Sequence, residues 1–261
     1  MDLHLADDVA LVTASSAGLG FASAQSFARE DADVAICGRD AERLAAAEAA
    51  LESVGDGRVL AVQTDLTDPH DVSALVEDTV DAFGGLDHLV TSAGGPPSGS
   101  FHDVEDRDWY GAYDTLVMSA VWTVREAHPH LEDSGAGTWT AITSRSVREV
   151  IDDLVLSNAV RRAVVGLVKS VSHEFAPSVR ANAVLPGAHE TSRITELVED
   201  AVDRGEYDDY EEGLAAWGED VPLGRIGDPE ELGDVVAFLA SDRASYVTGV
   251  SVPVDGGSLR S

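Results

Sequence analysis

The sequence is short of positive charge, of cysteine and of long apolar runs. Lysine occurs once, as Lys169, and Lys plus Arg number 17 against 48 Asp plus Glu, for a formal net charge of −31. Nucleic acid and anionic membranes carry the same sign, so neither is expected as a partner. Cys37 is the only cysteine, which excludes an internal disulfide and any cysteine-based zinc cluster. No stretch reaches 18 consecutive apolar residues, so no membrane span is expected. The opening residues Met1–Asp8 are acidic and poor in apolar side chains, unlike a signal peptide, and a cytoplasmic location is the expectation.

The acids are scattered through the chain, with a mild concentration over residues 199–219. That distribution describes a solvated acidic surface rather than an acidic tail. Acid-rich, lysine-poor composition resembles that of proteins from salt-loving organisms, where salt screens the self-repulsion of the chain.

Apolar strand-like runs alternate with helical patterns. Strands are expected at 9–12, 34–37, 59–63, 88–91, 138–143, 180–184 and 250–254. Helices are expected at 21–29, 41–53, 71–83, 106–130, 154–175, 191–217 (broken) and 229–241. The strand runs are flatly apolar, as for strands covered on both faces, and the alternation predicts a parallel sheet. The expected architecture is therefore α/β: a single-domain, Rossmann-type, doubly wound parallel sheet of about seven strands with helices on both faces. The chain shows no internal repeat and no linker. Residues 190–223, partly irregular, are expected to form a lid over a substrate site.

The first strand runs into Thr13-Ala14-Ser15-Ser16-Ala17-Gly18-Leu19-Gly20 and then a helix. Small residues let the backbone close on a ligand, and the unpaired N–H groups of a helix start accept phosphate. After the second strand stand Gly38 and Arg39 rather than an acid. Glycine leaves room and a guanidinium pairs a 2′-phosphate, so NADP(H) is expected over NAD(H).

These motifs and those downstream resemble the short-chain dehydrogenase/reductase family over nearly the whole chain, most like its 3-oxoacyl-[acyl-carrier-protein] reductase-like branch. The glycine turn resembles T-G-x-x-x-G-x-G, with Ala14 at the first glycine; the resemblance implies coenzyme contacts from Thr13, Ser15, Ser16, Gly18, Leu19 and Gly20. Asp65-Leu66 stands at the adenine-binding D-[VL]. Ser92-Ala93-Gly94 stands at N-N-A-G, without either asparagine. Pro186-Gly187 with His189 and Thr191 matches the nicotinamide-side P-G-x-x-x-T. The tail is similar over Pro222-Leu223-Gly224-Arg225, Phe238–Ser241 and Val254–Gly257. The resemblance implies a dinucleotide-dependent carbonyl or alcohol substrate, acyl thioesters included, and a homotetramer or homodimer built on the helices near 106–130 and 154–175.

The family's proton-delivering group is Tyr-x-x-x-Lys, with a Ser 13 residues before the Tyr. Here Ser144 keeps that serine place, while Ser157 and Arg161 replace the Tyr and Lys, and Leu116 stands at the usual Asn. A serine hydroxyl is far less acidic than a phenol, and arginine holds its proton at any ordinary pH. The catalytic candidates are Ser144, Ser157 and Arg161, the last anchoring ribose or stabilising an oxyanion. Members of the reductase-like branch carry this Ser-x-x-x-Arg variant. Three readings stay open: an oxidoreductase with a non-standard site, a dinucleotide-binding sensor or partner subunit with little turnover, and an isomerisation or elimination on the same scaffold. His189 and Tyr113 are alternative proton donors, and Arg145 and Arg148 are candidates to meet an acidic substrate or a phosphate arm.

Raising ionic strength from about 0.1 M to about 1 M cuts the screening length from ~10 Å to ~3 Å. Thermal unfolding should therefore move upward by about 5–10 °C across that range, as measured by circular dichroism.

Overall fold

The computed structural model describes residues 2–260, the side chain of Arg193 excepted. Seven parallel strands form one sheet: β1 (Val9–Val12), β2 (Asp33–Gly38), β3 (Val59–Gln63), β4 (His88–Thr91), β5 (Gly137–Ile142), β6 (Val179–Pro186) and β7 (Ser251–Val254). Their spatial order is β3-β2-β1-β4-β5-β6-β7. The direction of winding reverses between β1 and β4, which opens a crevice at the carboxyl ends of those two strands.

The helices are α1 (Gly18–Arg29), α2 (Ala41–Leu51), α3 (Pro69–Phe83), α4 (Asp106–Tyr113), α5 (Ser119–Asp133), α6 (Val155–Glu174), α7 (Ser192–Asp203), α8 (Tyr210–Gly218) and α9 (Pro229–Ala240). Side chains alternate across each strand. Val9 and Leu11 of β1, Ala35 and Cys37 of β2 and Trp139 of β5 join a core with residues of α3, α5 and α6. Ala10 and Val12, Val34 and Ile36, and Val184 join a second core with α1, α2 and α9. Both faces are thus buried, which is why the strand sequences read as continuous apolar runs.

Most boundaries lie within a few residues of the sequence expectation. Two differ for physical reasons. The first helix starts at Gly18, not Phe21, because its first turn is made by the glycine-rich segment itself. The helix expected over 106–130 is not continuous: Asp114–Met118 is a π-helical turn between α4 and α5. The segment expected to break between 191 and 217 does so, at residues 204–209 between α7 and α8.

Arg180 of β6 locks α9 to the sheet. Its Nη1 donates to Leu239 O at 2.8 Å and Val247 O at 3.3 Å, and its Nη2 to Ala240 O at 2.8 Å and Ser241 O at 3.1 Å. The guanidinium meets the otherwise unpaired carbonyls at a helix carboxyl end, where a cation is also favoured by the dipole. Arg180→Ala should lower the unfolding free energy by about 3 kcal/mol in denaturant titration, and Arg180→Lys should recover less than half of the loss.

Candidate functional site

The carboxyl ends of β1, β4 and β5 and the starts of α1 and α7 enclose a cleft of about 330 Å³. Its walls include Gly18, Leu19, Gly20, Ser92, Gly94, Thr143, Arg161 and Thr191. The sequence-predicted residues at the glycine turn, the fourth strand, the catalytic helix and the 186–191 segment therefore meet at one place. Ala14, Ala17, Ile142 and Ser192 complete the wall. Ile142 and Thr143 were not singled out from sequence, although their place at the end of a central strand is the signal that marks them.

Local chemistry shapes the glycine turn. Ala14 has φ +48°, a left-handed backbone that costs a residue with a Cβ about 1 kcal/mol. The bend brings its carbonyl against Gly20, where a Cβ would sit 2.5 Å from Ala14 O. Only glycine fits there. α1 begins on Ala17 with no side-chain cap and no acid in its first turn. α7 likewise has no side-chain cap and no acid in its first turn. By contrast, α2, α3, α4, α8 and α9 all carry Asp or Glu in theirs, while α5, which continues the π turn, and α6 do not. In a chain of charge −31, the helix starts that face this cleft keep their N–H groups and positive dipole ends for an outside anion.

Several predicted residues lie outside this stretch of wall. Thr13 Oγ1 donates to Ser92 O at 2.7 Å and accepts from Ser92 N at 2.9 Å, clamping the ends of β1 and β4 together. Ser15 Oγ donates to Val12 O at 2.6 Å and accepts from Cys37 N at 3.1 Å, and the residue is fully buried. Ser16 lies against Gly38, whose missing side chain leaves room for the Ser16 hydroxyl. Arg39 is exposed beside this point. Asp65 accepts from Thr67 N at 2.9 Å and Thr67 Oγ1 at 2.7 Å. Those bonds, and the nearby Arg39 charge, hold its carboxyl below the usual range, so it stays ionised. Leu66 packs against the core and Ala93 lines a small cavity of about 10 Å³ behind Arg161. Pro186 ends β6, and Gly187 N donates to Val254 O at 2.9 Å.

The catalytic candidates form one group. Arg161 Nε donates to Ser157 Oγ at 3.2 Å, Nη1 to Thr143 O at 3.2 Å and Nη2 to Gly94 O at 2.5 Å. All three acceptors are neutral, and among the described residues no carboxylate pairs with this guanidinium. Burial lowers its pKa to about 10, still far above neutrality, so the charge persists. Ser157 is buried, and its Oγ also meets Ser146 Oγ at 3.0 Å. Ser144 Oγ accepts from Ser146 N at 3.1 Å, and among the described residues its own hydrogen has no acceptor. Ser146 was missed from sequence.

His189 departs from the expectation of a proton donor. Its ring is buried, contacts Gly187 O at 3.3 Å through Nδ1, and fills space left by Gly227, where a Cβ would come within 2.8 Å of it. It points towards Glu231 and not into the cleft. Tyr113 is 47% exposed on α4 and contributes nothing to the cleft wall. Arg148 Nη2 is tied to Ser251 O at 2.9 Å, and Arg145 Nη1 stands 3.8 Å from Glu149.

A helix start stripped of acids, set at the reversal point of a parallel sheet, defines the class as a dinucleotide-binding α/β protein. Comparison with known proteins narrows it. Residues 13–258 match the family described as enoyl-(acyl carrier protein) reductase. The human dehydrogenase/reductase SDR family member 4 is 32% identical over 256 residues, covering 97% of this chain and 88% of that protein. L-sorbose reductase from Gluconobacter frateurii, solved with NADPH and L-sorbose, superposes with a TM-score of 0.95 at 30% identity over all of both chains. A short-chain oxidoreductase from Pseudomonas aeruginosa PAO1 described as containing an atypical catalytic center superposes with a TM-score of 0.93 at 32% identity, covering 98% of this chain and 99% of that one. The chain belongs to the short-chain dehydrogenase/reductase family, a family of oxidoreductases.

Burial depresses the pKa of His189 from its ordinary 6.5. The unfolded chain therefore binds a proton there more readily than the folded one. Stability from this residue is complete above pH 6.5 and falls as pH drops below it. His189→Gln should flatten the acid-side fall in thermal midpoint between about pH 6.5 and pH 5, relative to the parent protein.

Proposed function

We propose that this protein is an NADP(H)-dependent oxidoreductase that interconverts a carbonyl and an alcohol at a site where Ser144, Ser157 and Arg161 replace the usual phenol–lysine pair. The single observation that carries the reading is the guanidinium of Arg161, charged, unpaired by any carboxylate and set in the wall of the dinucleotide cleft.

The residues present fit the coenzyme. Gly18, Leu19 and Gly20 offer uncapped backbone N–H groups to its pyrophosphate, and Thr191 and Ser192 lie opposite. Asp65 accepts from the adenine amino group. Arg39, with Ser16 and the space at Gly38, holds the 2′-phosphate, the basis for NADP(H) over NAD(H). Pro186, Gly187 and His189 set the backbone at the nicotinamide end, with Ser92 and Gly94 in the opposite wall and Ala93 behind them. When bound, the reduced coenzyme supplies hydride to the carbonyl carbon.

The chain's own residues handle the oxygen. The Ser144 hydroxyl donates to the substrate oxygen. As the C=O electron pair moves onto that oxygen, Arg161 stabilises the developing negative charge without giving up its proton. The hydroxyl of Ser157, or a water in the cleft, supplies the proton that completes the alcohol. Low acidity of these donors is offset by a cation fixed beside the oxyanion.

The substrate class favoured is a small neutral hydroxycarbonyl compound. The L-sorbose reductase likeness supports it, and the acidic surface opposes an acidic carrier protein delivering an acyl thioester. The acidic α7–α8 segment within residues 190–223 serves as the lid over this substrate. Tyr110 and Tyr113, exposed on α4, support self-association of α4–α6 into a dimer or tetramer.

In molar salt, the protein should bind NADPH more tightly than NADH and oxidise it over a panel of ketoses and simple ketones. Arg161→Ala should lower kcat by about 10²–10³, the loss typical of removing one oxyanion-stabilising group. Arg39→Asp should reverse the coenzyme preference without changing kcat by more than a few-fold. NADPH binding with no turnover of any carbonyl, at any pH or salt, overturns the reading in favour of a dinucleotide-binding subunit.

A further inference from the structure

Hydroxyl groups in the helices of this protein mostly bond back to the carbonyl four residues earlier. Ser23 donates to Leu19 O, Thr79 to Leu75 O, Ser119 to Thr115 O, Thr123 to Ser119 O and Ser170 to Gly166 O. That back-bond is the ordinary resting place of a helical hydroxyl. Ser157 lies in the first turn of α6, which begins at Val155, so the carbonyl four residues earlier belongs to Asp153 outside the helix. It bonds instead across elements, to Ser146 Oγ at 3.0 Å, and accepts from Arg161 Nε at 3.2 Å.

The polarity of this chain follows from counting hydrogens. Guanidinium N–H groups only donate, so Ser157 Oγ accepts from Arg161. Ser146 is fully buried, and Ser157 Oγ is the sole acceptor within reach of its hydroxyl among the described residues. A buried hydroxyl hydrogen left without an acceptor costs about 1–3 kcal/mol, so Ser146 donates to Ser157. Ser157 then accepts twice, once from a cation. Its own hydrogen is the surplus one, and Ser157, at 5% exposure, is the less buried of the two. Two donors pulling on one oxygen, one of them charged, make that remaining O–H a stronger acid than an isolated serine.

We propose that Ser146 is a positioning residue. Its buried hydroxyl holds Ser157 in the rotamer that takes the Nε–H of Arg161, and so turns the Ser157 hydrogen outward to an acceptor oxygen. Ser146 also donates its backbone N–H to Ser144 Oγ at 3.1 Å, so one residue sets the direction of both hydroxyls. This inference rests on the roles given above to Ser157 and Arg161.

The test reads Arg161 directly, without turnover. In full-length protein labelled with ¹⁵N-arginine, the Arg161 Nε–H signal is identified by its loss in Arg161→Lys, and its solvent exchange rate is measured. Exchange should speed up at least tenfold in Ser146→Ala, stay near the parent rate in Ser146→Thr, and gain nothing further when Ser146→Ala is added to Ser157→Ala. An unchanged rate in Ser146→Ala overturns the inference, as does a full additive effect in the double variant. If Ser146→Ala does not fold, exchange in Ser146→Cys decides by the same criterion, because a thiol keeps the side-chain shape, only slightly enlarged, but is a poor donor. Turnover is scored separately: kcat of Ser146→Ala should fall about tenfold with KM for NADPH unchanged. Failure of the parent protein to reduce any carbonyl sinks the functional reading while leaving the exchange result to decide the placement of Ser157.

Discussion

A guanidinium half-buried beside neutral oxygens, with no carboxylate to balance it, costs free energy that the rest of the fold has to supply. Arg161 is held in that state by Thr143 O, Gly94 O and Ser157 Oγ, which come from the end of β5, the turn after β4 and the start of α6. The arrangement is costly in isolation. On the function proposed above, it becomes useful when a negative charge arrives or develops in the cleft. The chain contains 48 acidic side chains, and none of the described ones pairs with this cation. Arg180 is likewise held by carbonyls alone, whereas Arg29 is paired with Glu230, Arg58 with Asp33 and Arg225 with Glu231.

The same selectivity governs the helix starts. Most of the helices that start on the acidic surface use Asp or Glu to complement their own dipoles. The two that open on the cleft do not. Surface acidity and anion binding therefore coexist in one small molecule because they are separated in space. Screening by salt weakens the former more than the latter, since partly buried charges are screened less than exposed ones.

The fold was readable because burial on both faces writes itself into strand sequence as unbroken apolar runs. The glycine turn was readable because a tight bend onto a helix start admits few residue types. The π-helical turn at Asp114–Met118 was not, because Leu116, Val117, Ala120 and Val124 keep a helix-like apolar spacing through the extra residue. Nor could sequence separate polar residues that face the cleft from those that brace it. Thr13 and Ser15 are as small and polar as a ligand-binding residue, yet their hydroxyls are spent on backbone groups. The place of His189 after Pro186-Gly187 offers it as a proton donor, and only the packing against Gly227 shows where the ring goes. No local spacing announces Ser146, because its partner Ser157 lies across a loop on another element.

The π turn has one more consequence. It seats Leu116 at the back of the small cavity behind Arg161, alongside Ala120, Ile142 and Val164. That wall carries no ionisable side chain apart from Arg161 itself, and the cavity has room for about one water molecule. The polar part of the lining is made by Thr91, Ser92, Ser119 and Thr143, so a water lodged there would meet hydroxyl and backbone groups as well as the guanidinium. The bend thus sets a pocket of single-water size directly behind the cation, and the pace at which its contents trade with heavy water would report how tightly that rear wall is packed.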